Sequence, residues 1–503
     1  MVNFILREQT GFELESVKKS YIFDQDKFVH PKVTFKKAYR NIMRNITDRS
    51  PHLLEIRADH PIFVYDFGDG TVNSHGKGFT IDQAKASAIM EYSERYSWLN
   101  YDYKNVPGYK HLSFSDLNKE FDLSRINNCF FIPYSDKKEY LLEYLRNINM
   151  DWVPGYSLTH KCAEYYPLNW NNNYQTSNGL CTGNTKEEAI VQGICEVIER
   201  HNTGYVVMNK EYSAIELIDI NSINHPAIHD LYNYYKRIGI DIYLFNASKY
   251  INVPTILCSG IDHRTDKEIL RKGFGYGCHT DPNKAIIRAI TEYTQGREGI
   301  VLKQDIVPSK FKLTKGRWQF CLDMDVEKCA KECKVIPVSA LNNLSSDDFR
   351  EEIYSLMDLL NEQNLNTIVI DKSHPKLKVP VYRVYIPGLL PINTISSMNQ
   401  NDDLIVLQLL VQDKKMKEAQ QYYTKNFRSL LKNMESFLSL GINMYMAETG
   451  QNFRQAGDED VVLNLVNSMI TPDKLPLEQV VHHGNYLDQI KYYMAVLRGD
   501  IPA

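Results

Sequence analysis

Glutamate residues recur at a fixed spacing in three segments of this sequence, and they are the side chains best placed to bind a cation. The segments are SHGKGFTIDQAKASAIMEYSERYSW at 74–98, TSNGLCTGNTKEEAIVQGICEVIERH at 176–201 and GYGCHTDPNKAIIRAITEYTQGR at 275–297. In each one an alanine stands seven residues before a glutamate, and a second acid or amide follows three residues later. Because residues three apart on a helix share a face, these side chains converge in pairs. The pairs are Glu91 with Glu94, Glu196 with Glu199, and Glu292 with Gln295.

Helix-start signals in each segment predict the helices that position these acids. Thr80 with Gln83, and Thr185 with Glu188, have the spacing of a capping box, in which each side chain satisfies a free N–H of the first turn. In the third segment Asp281, followed by proline, is a predicted N-cap. Each predicted helix therefore carries its acids about two turns after its start.

The acids and the basic residues near them indicate a particular kind of ligand. Carboxylates from several helices in one pocket repel one another, and Mg²⁺ prefers such oxygen ligands and usually shares them with phosphates. Arg95, Arg200 and Arg288 lie within about a turn of the acids, and guanidinium groups bind phosphate bidentately. The glycine-led helix starts, GKG at 76–78 and GNT at 183–185, offer N–H groups to an anion. Together these features indicate a nucleotide with magnesium, although the P-loop motif GxxxxGK[ST] is absent. Interhelical salt bridges are the alternative.

Length and composition restrict the class of protein. A chain of 503 residues is long enough for two domains, and a net charge of −4 argues against nucleic-acid binding through bulk basicity. No stretch approaches the ~18 apolar residues of a transmembrane helix, and the N-terminus has no signal-peptide pattern. The nine cysteines lack the spacing of a disulfide framework. We therefore expect a cytoplasmic protein with reduced thiols, no direct nucleic-acid binding and no membrane association.

The predicted elements indicate an α+β fold in residues 1–399. After an amphipathic lead-in over residues 1–60, strands are predicted between the helices of the three segments and after them. Residues 100–152, rich in Tyr, Asn and Lys, are predicted to be an insertion or connector. From about residue 400 the apolar pattern is helical only, so 400–503 is predicted to be a separate all-helical domain. The strands are predicted at 62–65, 241–245, 255–262, 368–371 and 379–386.

The three segments resemble the three signature blocks of the YcaO family and occur in the same order as in that family. The segment VPVYRVYIPG at 379–388 resembles the late strand and Pro-Gly turn of the family. The resemblance covers about residues 1–395. It implies an ATP-binding fold unlike the P-loop, with ATP and Mg²⁺ as cofactors. It also implies ATP-dependent activation of a peptide backbone amide, whose oxygen is phosphorylated and then replaced by a thiol, a hydroxyl or sulfide to give azolines or thioamides. Other members resemble accessory factors for methylthiolation of a ribosomal protein.

The resemblance also implies roles for individual residues. Arg200 and Arg288 correspond to catalytic positions that bind phosphate, and Ser16, Asn184 and Glu188 correspond to nucleotide contacts. Glu292 counts both as catalytic and as a metal ligand. The implied magnesium ligands are Glu91, Glu94, Glu196, Glu199 and Glu292.

Two functions from different classes stay open at this point. One is an ATP-dependent enzyme of the cyclodehydratase or thioamide synthetase class, acting on a peptide or protein. The other is an ATP-binding adaptor that presents a methylthiotransferase or sulfur carrier to its target. The chain ends in RGDIPA rather than in a PxPxP tail and shows no fused peptide-binding domain, which favours the thioamide or accessory branch. A sulfur-delivery or methylthiotransferase partner is expected, and a homodimer is an open option.

Several reactive residue types inside the segments are expected to be structural. Small buried thiols are the simplest explanation for Cys181, Cys195 and Cys278. His201, beside Arg200, is also expected to support the end of a helix rather than to catalyse. These residues are therefore left out of the predicted site.

Overall fold

The computed structural model describes residues 12–390, except 47–49, 58–60, 122, 127–128, 131–137, 175–176, 210–214, 266–270 and 302–323. The predicted helical domain at 400–503 lies outside the described residues. The chain divides into two compact units, and the larger one is drawn from Met1–Lys110, Asp122–Phe131 and Trp152–Ser396. The smaller unit includes the described residues of His111–Phe121 and of Ile132–Asp151, which fall within the segment 100–152. All predicted site residues belong to the larger unit.

The described elements include both strands and helices in mixed order along the chain, which agrees with the α+β prediction. The strands are β1 His52–Arg57, β2 Phe63–Gly68, β3 Asn73–Gly78, β4 Lys110–Leu112, β5 Met150–Ser157, β6 Cys162–Pro167, β7 Leu180–Thr182, β8 Glu216–Ile218, β9 Ile240–Asn246, β10 Thr255–Asp262, β11 Lys272–Cys278, β12 Val335–Ile336, β13 Ile368–Asp371 and β14 Val381–Tyr385. The helices are α1 Pro31–Asn45, α2 Ile81–Leu99, α3 Phe114–Glu120, α4 Lys138–Asn147, α5 Leu168–Tyr174, α6 Lys186–Asn209, α7 Pro226–Arg237, α8 Pro282–Val301, α9 Val326–Glu332 and α10 Phe349–Glu362. Across the described ranges, no helix combines the length and the hydropathy needed to span a membrane.

The strands of the larger unit lie in three sheets. The first is antiparallel, in the order β1-β2-β3. The second runs β11-β10-β9-β8-β12, antiparallel except for the β8–β12 pair. In the third, antiparallel pairing links β6, β5, β13, β14 and β7 in that order. Every residue of β10 is buried, which explains why its sequence, TILCSGID, is almost continuously apolar or small.

Three strand–helix units repeat in this fold: β3 with α2, β7 with α6, and β11 with α8. Glycine lets each strand or its end lie directly on the backbone of the following helix. A Cβ atom on Gly76 would lie 2.1 Å from the carbonyl oxygen of Ala84, and one on Gly277 would lie 2.2 Å from that of Ala285. A Cβ atom on Gly183 would lie 2.5 Å from the backbone nitrogen of Ala189. The glycine and alanine spacing of the three segments thus fixes this close packing.

The prediction that the glycine-led helix starts offer free N–H groups to an anion was wrong. The GKG tripeptide lies inside β3, paired with β2, and does not form a helix start. At the second segment the backbone N–H of Gly183 donates to Pro380 O at 3.3 Å, and that of Asn184 donates to Glu188 Oε2 at 3.2 Å. These N–H groups already have partners within the chain, so they are not free for a ligand.

The helix-start signals are largely confirmed. At α2, Thr80 and Gln83 form the complete capping box. At α6, Glu188 N donates to Thr185 Oγ1 at 3.2 Å, but the Glu188 carboxylate binds Asn184 and not the cap residue. At α8, Asn283 N donates to the Asp281 carboxylate at 2.8 Å.

The lead-in predicted over residues 1–60 contains elements that the sequence analysis missed. Helix α1 begins with proline after His30, whose ring accepts the backbone N–H of Lys32. Its buried face packs on the cluster that includes Phe67, Ala84 and Tyr92. Helix α1 therefore packs against α2, and both helices share a hydrophobic core with the first sheet.

Candidate nucleotide and magnesium site

The three strand–helix units surround a cavity of about 840 Å³. Its walls come from β3, α2, α6 and α8, and from the N-terminal segment at residues 24–27. Both predicted phosphate-binding residues, Arg200 and Arg288, line it. All five predicted magnesium ligands line it as well: Glu91, Glu94, Glu196, Glu199 and Glu292.

Helix α2 contributes Glu91 and Glu94, one turn apart. Glu91 accepts the backbone N–H of His75 at 3.1 Å and forms an ion pair with Arg95. Burial raises the pKa of Glu94 well above its usual value, and the nearby Glu196 and Glu91 raise it further. Glu94 therefore lies close to the carboxylates of two helices.

Helix α6 contributes Glu196 and Glu199. Burial raises the pKa of Glu196; Arg200 opposes this effect and Glu199 adds to it. Glu199 is buried, and its Oε2 accepts the backbone N–H of Cys278 at 3.1 Å. Its Oε1 lies 3.7 Å from Arg200 Nε. The carboxylates of α6 thus face those of α2, as the recurrence in the sequence predicts.

Helix α8 contributes Arg288 and Glu292, together with a contact that the sequence analysis did not find. Arg288 Nη1 donates to Gln192 Oε1 at 2.7 Å, while its buried Nε has no hydrogen-bond partner among the described residues. Glu292 forms an ion pair with Lys77 of β3. Burial is the main cause that lowers the pKa of Lys77 to about 7, and the positive charge of the neighbouring Arg288 is the second.

These residues fit a divalent cation and a polyphosphate. Within the described residues, no three acidic, histidine or cysteine side chains are close enough to hold a metal ion as they stand. However, Glu196 raises the pKa of Glu94 beyond the effect of burial, and neither glutamate has an ion-pair partner in the described part of the chain. A cation between such groups relieves their repulsion, and an anion would satisfy the buried Arg288 Nε. Ion pairs within the chain account for Glu91, which pairs with Arg95 of its own helix, and for Glu292, which pairs with Lys77 of β3, but they leave Glu94 and Glu196 unexplained.

The predicted nucleotide contacts divide into two groups. Glu188 lines the cavity, while Asn184 lies behind it and donates through Nδ2 to Glu188 at 3.0 Å. Asn184 Oδ1 also accepts from Thr34 Oγ1 at 2.9 Å. Ser16 is not part of the cavity wall; its hydroxyl donates to Asp348. As placed here, Asn184 and Ser16 therefore position other groups.

A buried charge network that forms part of the cavity wall was also missed by the sequence analysis. Asp26 accepts from Lys19 at 2.6 Å and from Lys284 at 2.5 Å, and lies 3.6 Å from His279 Nε2. Lys19 also pairs with Glu352 at 2.6 Å. Burial alone would raise the pKa of Asp26, but His279 and the two lysines hold it below its usual value. The network ties the N-terminal segment to α8 and α10.

We expect the substitution Asp26→Asn to lower the free energy of unfolding by about 3 kcal/mol, because it leaves buried cations without their shared carboxylate. The lowered pKa of Asp26 means that this contribution is complete above the ordinary value of 3.8 and is lost as the pH falls below it. The difference in the free energy of unfolding between the parent and Asp26→Asn should therefore become smaller at acidic pH. Urea titrations at several pH values measure it.

The control for this prediction is Asp347→Asn. Asp347 forms an exposed ion pair with Lys18 at 2.9 Å, and such pairs contribute about 0–1 kcal/mol. Equal unfolding free energies for Asp26→Asn and the parent at neutral pH would contradict the role of Asp26.

The residues expected to be structural are buried beside the site. His201 Nδ1 accepts the backbone N–H of Leu390 at 3.0 Å, and burial lowers the pKa of His201 to about 4. Cys181, Cys195 and Cys278 are all buried. Burial raises the pKa of Cys278 and of Cys181 well above the usual thiol value. Both thiols are therefore held protonated.

Comparison with known proteins identifies the family. The YcaO family model, described as YcaO cyclodehydratase, ATP- and Mg²⁺-binding, matches residues 75–390. The chain belongs to the YcaO family. The match begins within β3, includes the rest of the three strand–helix units and the whole carboxylate cluster, and ends after β14. The family description supports an ATP-dependent enzyme and gives ATP and Mg²⁺ as the cofactors.

Relatives of this YcaO protein include proteins with different described roles. It is 26% identical over 359 residues to the ribosomal protein S12 methylthiotransferase accessory factor YcaO of Escherichia coli K12, covering 63% of this chain and 57% of that one. Its fold resembles a heterocyclase solved in complex with substrate and cofactor, with a TM-score of 0.59, 23% identity and coverage of 76% and 55% of the two chains. It also resembles YcaO from Methanopyrus kandleri bound with AMPPCP and Mg²⁺, with a TM-score of 0.54, 19% identity and coverage of 74% and 94%. The chain thus spans little more than half of the first two proteins.

Proposed function

We propose that this protein uses ATP and Mg²⁺ to phosphorylate the carbonyl oxygen of a backbone amide in a peptide or protein, for thioamide or azoline formation. The observation that carries the proposal is the cavity in which acidic side chains from α2, α6 and α8 face Arg200 and Arg288. This arrangement suits phosphoryl transfer, which requires mainly positioning and the stabilisation of charge. The family description, a cyclodehydratase, supports the same chemistry.

The chain's own residues have separate tasks in this reaction. Glu91, Glu94, Glu196, Glu199 and Glu292 would hold Mg²⁺, which would neutralise the charge of the phosphates. Arg288, whose guanidinium is oriented by Gln192, would donate to the transferred phosphoryl group. Arg200 would donate to the same polyphosphate from α6. Glu188 would contact the nucleotide, supported from behind by Asn184.

The covalent steps balance without any oxidant or reductant. The amide oxygen forms a bond to the γ-phosphorus, and the bond from that phosphorus to ADP breaks. The amide nitrogen loses its proton and forms a double bond to the carbon, which the azoline retains; in a thioamide the nitrogen is protonated again. A thiol, a hydroxyl or sulfide then attacks the amide carbon and loses its proton. The carbon–oxygen bond breaks, so that phosphate leaves with the original amide oxygen. A side-chain nucleophile gives an azoline, and sulfide gives a thioamide.

A second function is favoured by one specific comparison, the similarity to the S12 methylthiotransferase accessory factor. In this alternative the protein would bind ATP and present a methylthiotransferase or sulfur carrier to its target. The acids and arginines of the cavity would then serve nucleotide binding alone.

Substrate-stimulated turnover separates the two functions. ATP hydrolysis by the full chain should be measured with a library of Cys-, Ser- and Thr-containing peptides, with and without sulfide, and with ribosomal protein S12. The enzyme predicts that some peptides stimulate turnover and gain sulfur or lose water in mass spectra. Stimulation by none of them, together with stable binding of S12 or its methylthiotransferase, would favour the adaptor.

A further inference from the structure

Lys77 occupies an unusual position among the acids and arginines of the cavity. In β3 the buried residues alternate with less buried ones, so that Gly76 and Gly78 pack inward while Lys77 remains partly accessible. Its side chain lines the cavity and is 23% exposed. The family resemblance implies no role for this lysine, which lies between the two glycines of the GKG tripeptide.

The partner of Lys77 is a predicted magnesium ligand. Its ammonium group forms an ion pair with Glu292 Oε2, which joins β3 to α8 across the cavity. If Glu292 binds Mg²⁺, the ammonium group and the metal ion compete for the same carboxylate. Metal binding therefore weakens the attraction of this carboxylate for Lys77.

The charged groups around Lys77 indicate which ligand its ammonium group would bind after it leaves Glu292. Arg288 and Arg200 repel its ammonium group, while Glu199 and Glu91 attract it. Three cations thus converge on one part of the cavity, next to the acids that would hold the metal. A polyphosphate would compensate the three positive charges together, and the flexible four-carbon stem of lysine allows its head group to move.

We propose that Lys77 is a mobile counter-ion that neutralises Glu292 before the nucleotide binds and transfers to the polyphosphate when Mg²⁺ takes Glu292. This inference rests on the role proposed above for Glu292 as a metal ligand. It makes metal and nucleotide binding mutually supportive, because the metal releases the lysine that the nucleotide then binds. It also predicts opposite effects of Lys77 on the two ligands.

The test measures two affinities of the full-length variant Lys77→Met, in which methionine keeps an unbranched side chain but removes the charge. Mn²⁺ alone, followed by electron paramagnetic resonance, should bind about tenfold more tightly, because its competitor for Glu292 is gone. AMPPNP with saturating Mg²⁺, followed by calorimetry, should bind about tenfold more weakly, because a charged hydrogen bond to phosphate is lost. Lys77→Arg should resemble the parent in both measurements.

The matched control is Lys328→Met, which removes a lysine whose side chain is 65% exposed in an ion pair with Glu332. It should leave both affinities unchanged. Thermal unfolding verifies that each variant is folded, and Lys77→Gln replaces Lys77→Met if the latter is not. Any pattern in the neutral variant other than tighter Mn²⁺ and weaker AMPPNP overturns the proposal.

The variant Glu292→Gln keeps this test separate from the site assignment. If it weakens Mn²⁺ binding while Lys77→Met has no effect, Glu292 is a ligand and the counter-ion proposal alone fails. If Mn²⁺ binds Glu292→Gln as it binds the parent, the assignment of Glu292 fails and the counter-ion proposal fails with it.

Discussion

Glutamine in place of Glu199 is expected to weaken the binding of MgATP by about 100-fold while the protein stays folded. Glu199 is buried between α6 and β11, and it lines the cavity next to Arg200. The amide oxygen of glutamine can still accept the backbone N–H of Cys278, so the local structure is retained. The negative charge that a metal ion requires is lost. Calorimetric titration with AMPPNP and Mg²⁺ measures the effect.

Glu187→Gln is the matched control for this prediction. Glu187 is also a buried glutamate of α6, but it accepts the backbone N–H of Glu15 and lies outside the cavity wall. Its substitution should leave nucleotide affinity unchanged. Equal affinities for Glu199→Gln and the parent would remove Glu199 from the metal site.

Lysine in place of Arg288 is expected to reduce kcat by about 100-fold or more and to change nucleotide affinity much less. Lysine keeps the positive charge but loses the planar fork that Gln192 orients in the parent. A donor that stabilises charge on the transferred phosphoryl group acts mainly in the transition state. The expected result is therefore a loss in kcat, measured with a peptide that stimulates ATP turnover.

Arg350→Lys is the control, because Arg350 binds Glu351 at the surface of α10, away from the cavity. It should behave like the parent in the same assay. If Arg288→Lys retained full kcat but bound nucleotide poorly, Arg288 would be a ground-state contact, and its catalytic role would be rejected.

The sequence was sufficient to predict the parts of the site that depend on local periodicity. The recurring glutamates could be assigned to three helices because capping residues mark where two of these helices start and Asp281 marks the third. The convergence of the helices followed from their recurrence, and the cavity contains all five acids. The family resemblance was confirmed over residues 75–390.

Contacts between distant segments could not be predicted in the same way. The pairing of Lys77 with Glu292 depends on how β3 packs against α8, and no local pattern in the sequence predicts that contact. The network of Asp26 likewise joins residues more than 250 positions apart in the sequence, as with Lys284. The glycines were misassigned because a glycine that allows close strand–helix packing and one that exposes N–H groups to an anion look alike in sequence.

Isotope transfer tests amide activation most directly. The measurement uses a peptide that stimulates ATP turnover and carries heavy oxygen in the backbone carbonyl that is modified. The proposed mechanism predicts that the label appears in the released phosphate, because the amide oxygen forms the bond to the γ-phosphorus before it leaves. The contrary result is that the peptide oxygen stays in place and phosphate takes up label only from heavy-oxygen water. That result would contradict amide activation and would show that the protein binds and hydrolyses ATP without phosphorylating the amide.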